Sequence, residues 1–237
     1  MMLTGLDIHL CWHPYNTAKS FSVTLRIIPA RIWSPEALTR VDFLSLPSIS
    51  GHLDVNLEIV PTLKGAFKTA HPGSITSSSD EDLPPSLSGN VCVKQVYFSG
   101  KDGVVKHYCP LEEQPFIHYE VGCLDWSRIL LNLTYQFIEV YEEDHGKFPG
   151  TILRMWFVEA AIAECDNGKL FLIEEWISTS ETPFMKYINN AHAVSCVCKH
   201  APVEMQNIAN FLCLHSMFNT RWPRELCSPL TIKVCLK

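Results

Sequence analysis

Apolar and polar residues alternate along "LDVNLEIV" (53–60), placing Leu53, Val55, Leu57 and Ile59 on one face, which is the period of a half-buried β-strand. "FSVTLRII" (21–28) reads as another short strand. "NVCVKQVYF" (90–98) reads as a third, with Val91, Val93 and Gln95 on one side and Cys92, Lys94 and Val96 on the other. The period then changes. Over residues 118–142, apolar positions recur at 123/124, 126, 130/131, 133 and 137/138, close to helical spacing, and Gly122 weakens the first turn. Past "HGKFPG", apolar segments at 151–164 and 169–177 are joined by "CDNG", and Asp-Asn-Gly between two such runs predicts a hairpin. This order predicts an α+β fold, a mostly antiparallel sheet with one long helix against it.

Three stretches lack such patterning. Residues 1–50 are irregular, with Pro14, Pro29, Pro35 and Pro47 breaking the periodicity. Ser, Asp, Glu, Pro and Gly dominate residues 71–90, which predicts an exposed, mobile loop. The tail, residues 213–237, has no clear period. No internal repeat is visible.

Of the 237 residues, 47% are hydrophobic and 19% charged, enough apolar side chain for a substantial core. A formal charge of −6 argues against broad nucleic-acid binding, which runs on clustered Lys and Arg. A phosphate site needs only one or two local cations, so it is not excluded. No stretch of eighteen apolar residues predicts a membrane span, and the start of the chain has no basic segment of a secretory signal. The ten cysteines are scattered without a Cys-x-x-Cys pair, which predicts reduced thiols and an intracellular, cytoplasmic location.

Lys94 is the first chemical candidate, because an unpaired ammonium inside a sheet is costly. It is either an edge-strand lysine pointing to water or a cation held for phosphate oxygens. Glu120, in the first turn of the predicted helix, could hold such a lysine. "TLKGAFKTAHPG" offers Gly65 for close backbone approach and Lys64 and Lys68 for charge, so it is either a turn lying over phosphates or an ordinary surface hairpin. Neither standard glycine-rich phosphate motif occurs there. Glu174 and Glu175 point to opposite faces of a strand. One of them could accept from a ligand amine such as adenine N6; a wet edge strand would explain both equally well. His192, Cys196, Cys198 and His200 have a spacing that zinc can use, but Cys-x-Cys is poor zinc geometry and no metal is expected. Asn132-Leu133-Thr134 fits the glycosylation pattern but lies inside the predicted helix.

Five segments in order, "GAFKTAHPG", "VCVKQVYF", "HYEVGCLDWSRILLNLTYQFI", "LFLIEEWI" and "FMKYINN", resemble the alpha-type (atypical) protein kinases, particularly their fungal form. The resemblance spans roughly residues 55–212. It implies a kinase-like domain at 51–212, comprising the nucleotide-binding lobe, the hinge and the start of a second lobe that is incomplete. Residues 1–50 and 213–237 then flank that domain as a separate segment and a divergent tail. The implied activity is transfer of the γ-phosphoryl of Mg-ATP to a serine or threonine hydroxyl of a protein substrate, with ATP and Mg as cofactors. By resemblance, Lys94 contacts the phosphates and Glu120 holds it. Gly65 and Lys68 lie in a turn covering the phosphates, Glu174 is the hinge glutamate facing adenine, and the backbone near Trp176 completes that contact. Lys186 and Asn190 match the Lys-Tyr-x-x-Asn element after the hinge. The Asp-x-Gln-Gly segment, glycine-rich loop and structural zinc ligands of the family's second lobe have no counterpart in the sequence, and after "IANFLC" (208–213) the pattern stops. A truncated chain with little or no phosphoryl transfer, or a non-catalytic remnant, is the expectation that follows.

Overall fold

The computed structural model describes residues 18–28, 42–57, 68–77, 83–100, 104–147, 155–177, 197–203, 205–210 and, as backbone only, 235–236. The elements are β1 (Lys19–Ile27), β2 (Ser48–Val55), β3 (Lys68–Ser77), β4 (Gly89–Ser99), β5 (Val105–His107), α1 (Pro110–His145), β6 (Met155–Trp156), β7 (Ala160–Cys165), β8 (Leu170–Glu175) and β9 (Cys235–Leu236). The architecture is α+β, an antiparallel sheet with one long helix, as the sequence pattern predicts.

The chain divides into two compact units. One comprises Trp12–Phe137 and Val158–Ile177 and holds the main sheet, whose strands run β3-β2-β1-β7-β8-β4-β5. An additional β3–β4 ladder joins the two sides of that order, so six strands close into a ring with β5 attached outside it. Alternate residues therefore point into the ring or away from it. Val23, Leu25, Leu53, Val55, Ile75, Val91, Val93, Phe171 and Ile173 fill the inside. The outward residues Val96, Ala160, Ile162, Leu170 and Leu172 are covered by Ile117 and Val121 of α1, together with Ile28, Phe43 and Leu46. The second unit comprises Met1–Cys11, Ile138–Phe157 and Ser178–Lys237, and contains the short β6–β9 pair.

Three elements depart from expectation, the first being β2, which runs Ser48–Val55 where the alternation predicts 53–60. Residues 71–77, read as part of a mobile loop, lie in β3. Its inward side chains are Thr69, His71, Gly73 and Ile75, mostly small or polar, so the alternation carries no hydrophobic signal. Gly73 is required by space. A Cβ there would lie 2.6 Å from Val93 Cγ2 and 2.9 Å from the Asp54 carbonyl oxygen. Pro72 has no N–H to give, and the β2 ladder stops one residue away, at Val55 opposite Gly73. Helix α1 begins at Pro110, eight residues before the predicted start. Proline suits the first helical position, and the Cys109 N–H donates to Glu112 Oε2 at 3.2 Å, closing the end. The hairpin from β7 to β8 forms as the Asp-Asn-Gly signal predicts, with Gly168 at φ 78°.

Candidate functional site

Lys94 is in the middle of β4, opposite Ala70 of β3 and Leu172 of β8. With a ladder on each side, it is not an edge lysine in water. It faces outward from the ring, toward the helix-covered side, and is 8% exposed. Glu174 has the same facing on β8, opposite Cys92 of β4 and Ala160 of β7. The two are thus diagonal neighbours, a separation that a lysine and a glutamate can bridge. The Lys94 ammonium donates to Glu174 Oε1.

Lys68 repeats the relation on the other flank. It opens β3 opposite Val96, diagonal to Lys94, and its ammonium donates to Glu120 Oε1 of α1. Side-chain exposures are 16% for Lys68 and 19% for Glu120, so water screens this pair only weakly. Three strands and the helix therefore bring Lys68, Lys94, Glu120 and Glu174 into one cluster between α1 and the ring.

The pairing differs from the sequence reading. That reading joins Lys94 to Glu120; in the structure Lys94 pairs with Glu174, and Glu120 takes Lys68. The reason is register: one helix carboxylate serves the strand whose lysine lies under its turn, and that strand is β3. Lys68 belongs to a strand rather than a turn. Glu174 lies within β8 with its carboxylate engaged by Lys94, and Glu175 on the opposite face is half-buried. Trp176 follows β8 and is half-buried. Gly65, Lys186 and Asn190 lie outside the described residues, as do His192 and Cys196 of the weighed zinc set. Cys198 is exposed, and among the described residues no group of three or more His, Cys, Asp or Glu side chains is placed to hold a metal.

The four charges act on one another. Burial pulls the Lys68 amine below the ordinary lysine value, the nearby Lys94 charge adds to that, and Glu120 and Glu174 oppose it. Burial would lower Lys94 as well, but Glu174, Cys92 and Glu120 outweigh it and leave the amine above the ordinary value. Lys94 is held firmly as a cation, and Lys68 is the softer of the two.

The motif reading missed Arg128, about two turns beyond Glu120 on α1. Its guanidinium donates to the carbonyl oxygens of Val158 and, at 3.5 Å, Ile28. Burial lowers its pKa, while Glu159, Asp125, Glu174 and Glu175 hold it up, so Glu174 is within its electrostatic reach. A lone arginine on a helix gives no sequence signal for such a place.

No protein-family model matches the chain, and no curated protein matches it. Among solved structures it is similar to the inactive alpha-kinase domain of myosin heavy chain kinase A in complex with ATP. The TM-score is 0.40 with 12% identity, over 84% of this chain and 75% of that one. Among the described residues no helix is long and apolar enough to cross a membrane.

Proposed function

We propose that this chain binds a nucleoside triphosphate at the Lys68–Lys94 cluster, as the nucleotide-binding part of an alpha-type protein kinase. The observation that carries the reading is the pair of ammonium groups on adjacent strands, diagonal to one another and facing one way, with the Lys94 charge near enough to help lower the Lys68 amine. Two like charges drawn together in a half-dry place suit a ligand carrying several negative charges, and a triphosphate is such a ligand. The outward face that holds them also carries Glu174, for which the resemblance suggests an adenine contact, and Trp176 follows it. Gly65, Lys186 and Asn190 belong to the same proposal on resemblance alone.

Lys68 and Lys94 are the donors that ATP phosphates would use, each bonded to a carboxylate in this structure. The described residues supply no donor set for Mg. Serine/threonine phosphoryl transfer to a protein substrate is the activity proposed from the resemblance. The second reading is a non-catalytic nucleotide-binding module. It is favoured by the lack of an Asp-x-Gln-Gly segment in the sequence, because phosphoryl transfer needs groups that hold the metal.

A ligand that binds only the folded state stabilises it by RT ln(1 + [L]/Kd), about 2.7 kcal/mol at one hundred times Kd. ATP, with and without Mg, is therefore expected to raise the melting temperature of the purified chain. The gain should vanish in the double variant Lys94→Met/Glu174→Met, which removes cation and counter-ion together. An unmoved melting temperature at millimolar ATP rejects the nucleotide reading. Transfer of labelled phosphate from ATP to the chain or a generic protein substrate decides between the kinase and the non-catalytic module.

A further inference from the structure

The cluster is electrically closed. Two ammonium groups meet two carboxylates, and every side chain of the four is less than one-fifth exposed. A phosphate arriving at Lys94 meets Glu174 already bonded there, and two anions cannot share that ammonium without strong repulsion at low effective dielectric. Another cation lies nearby: Arg128 bonds the Val158 carbonyl, two residues before Ala160, the β7 residue opposite Glu174. Arg128 feels its charge, and the two carbonyl hydrogen bonds of Arg128 leave guanidinium donors for a further acceptor. Lys94 in turn keeps Glu120 within electrostatic range when Glu174 leaves.

We propose that Glu174 is a resident competitor for the anion site: its carboxylate occupies Lys94 until a polyphosphate displaces it toward Arg128. This rests on the nucleotide reading above and gives that site a built-in threshold. Only a ligand carrying enough negative charge to displace one carboxylate enters, so di- and triphosphates are admitted and monophosphates are excluded. The sign of the mutational effect follows. If Glu174 served the ligand, neutralising it would weaken binding; as a competitor, neutralising it strengthens binding.

The experiment measures the affinity of inorganic tripolyphosphate and of ATP for the wild type, Glu174→Gln and Glu174→Asp by calorimetry. Removing a carboxylate charge beside the bound anion should tighten tripolyphosphate binding by about tenfold or more in Glu174→Gln, with a smaller gain in Glu174→Asp. Unchanged or weaker binding in the variants, with a wild type that binds, overturns the competitor and leaves the nucleotide reading standing. If none of the three binds either ligand, both fall. Should Glu174→Gln fail to fold, the wild type decides through the ¹³C signal of the Glu174 carboxyl. That signal moves on saturation with tripolyphosphate if the carboxylate changes partner, and a stationary signal under saturation overturns the proposal.

Discussion

A buried ammonium persists only because something nearby offsets its lost hydration, and for Lys94 that is chiefly Glu174. The two charges are therefore interdependent in stability as well as in binding. Lys94→Met alone strands a carboxylate that is 7% exposed, and should cost about 3–5 kcal/mol in urea unfolding. Lys94→Met/Glu174→Met should recover most of that loss, because a matched apolar pair has no charge to desolvate. A single variant as stable as the parent would show that the pair is solvated. The sequence made Lys68, Lys94, Glu120 and Glu174 legible as candidates, since each is a charge set in or beside an apolar run. It could not reveal who pairs with whom. That depends on the β4–β8 and β3–β4 registers, which bring together residues 80 apart and on different strands.

Elements were legible where one face is apolar and the turn chemistry is explicit. The alternation of β4, the helical period of α1 beyond residue 118 and the Asp-Asn-Gly turn between β7 and β8 all declare themselves locally. Strand β3 does not, because the closing strand of a narrow ring needs small inward residues. His71 is buried there with Nε2 2.8 Å from Thr69 Oγ1, and the Thr69 hydroxyl donates to the Gln95 carbonyl at 3.3 Å, so polar groups do what apolar ones do elsewhere. The first turns of α1 are hidden by Pro110 and by Pro115, which removes one helical hydrogen bond. Gly73→Ala tests the closure. Its Cβ has no room between Asp54 and Val93, so β3 must shift, and a loss of about 1–3 kcal/mol is expected from the shift in urea midpoint. A midpoint equal to that of the parent would mean that the ring can widen there without cost.

For the molecule as a whole, a second acid of α1 matters through its burial against the ring. Glu113, in the first turn of α1, is fully buried, and neither carboxyl oxygen has a hydrogen-bond partner. The amides of Val96 and Leu170 lie near enough to favour its charge without closing a hydrogen bond, just where the β4–β8 ladder has ended at Lys94 opposite Leu172. Burial outweighs them and the nearby Lys169, pushing the acid up from 4.5 to about 7. Because the folded form holds this proton more tightly than the unfolded chain does, the group's stabilisation is complete below pH 4.5. It falls as pH rises toward about 7, at up to about 1.4 kcal/mol per unit. Glu113→Gln should remove that slope from the pH profile of unfolding free energy, and a variant with the wild-type slope would reject the assignment. Closure of the ring carries a further consequence, for the order in which the protein can be made. Strand β1 must find β7, and their joining ion pair, Arg26 with Glu164 at 3.4 Å, spans 138 positions of chain. A polypeptide emerging from the ribosome must leave β1 with one flank waiting until residues 160–165 have followed, and the ring closes only when residues 170–175 have also come out to bridge β7 and β4.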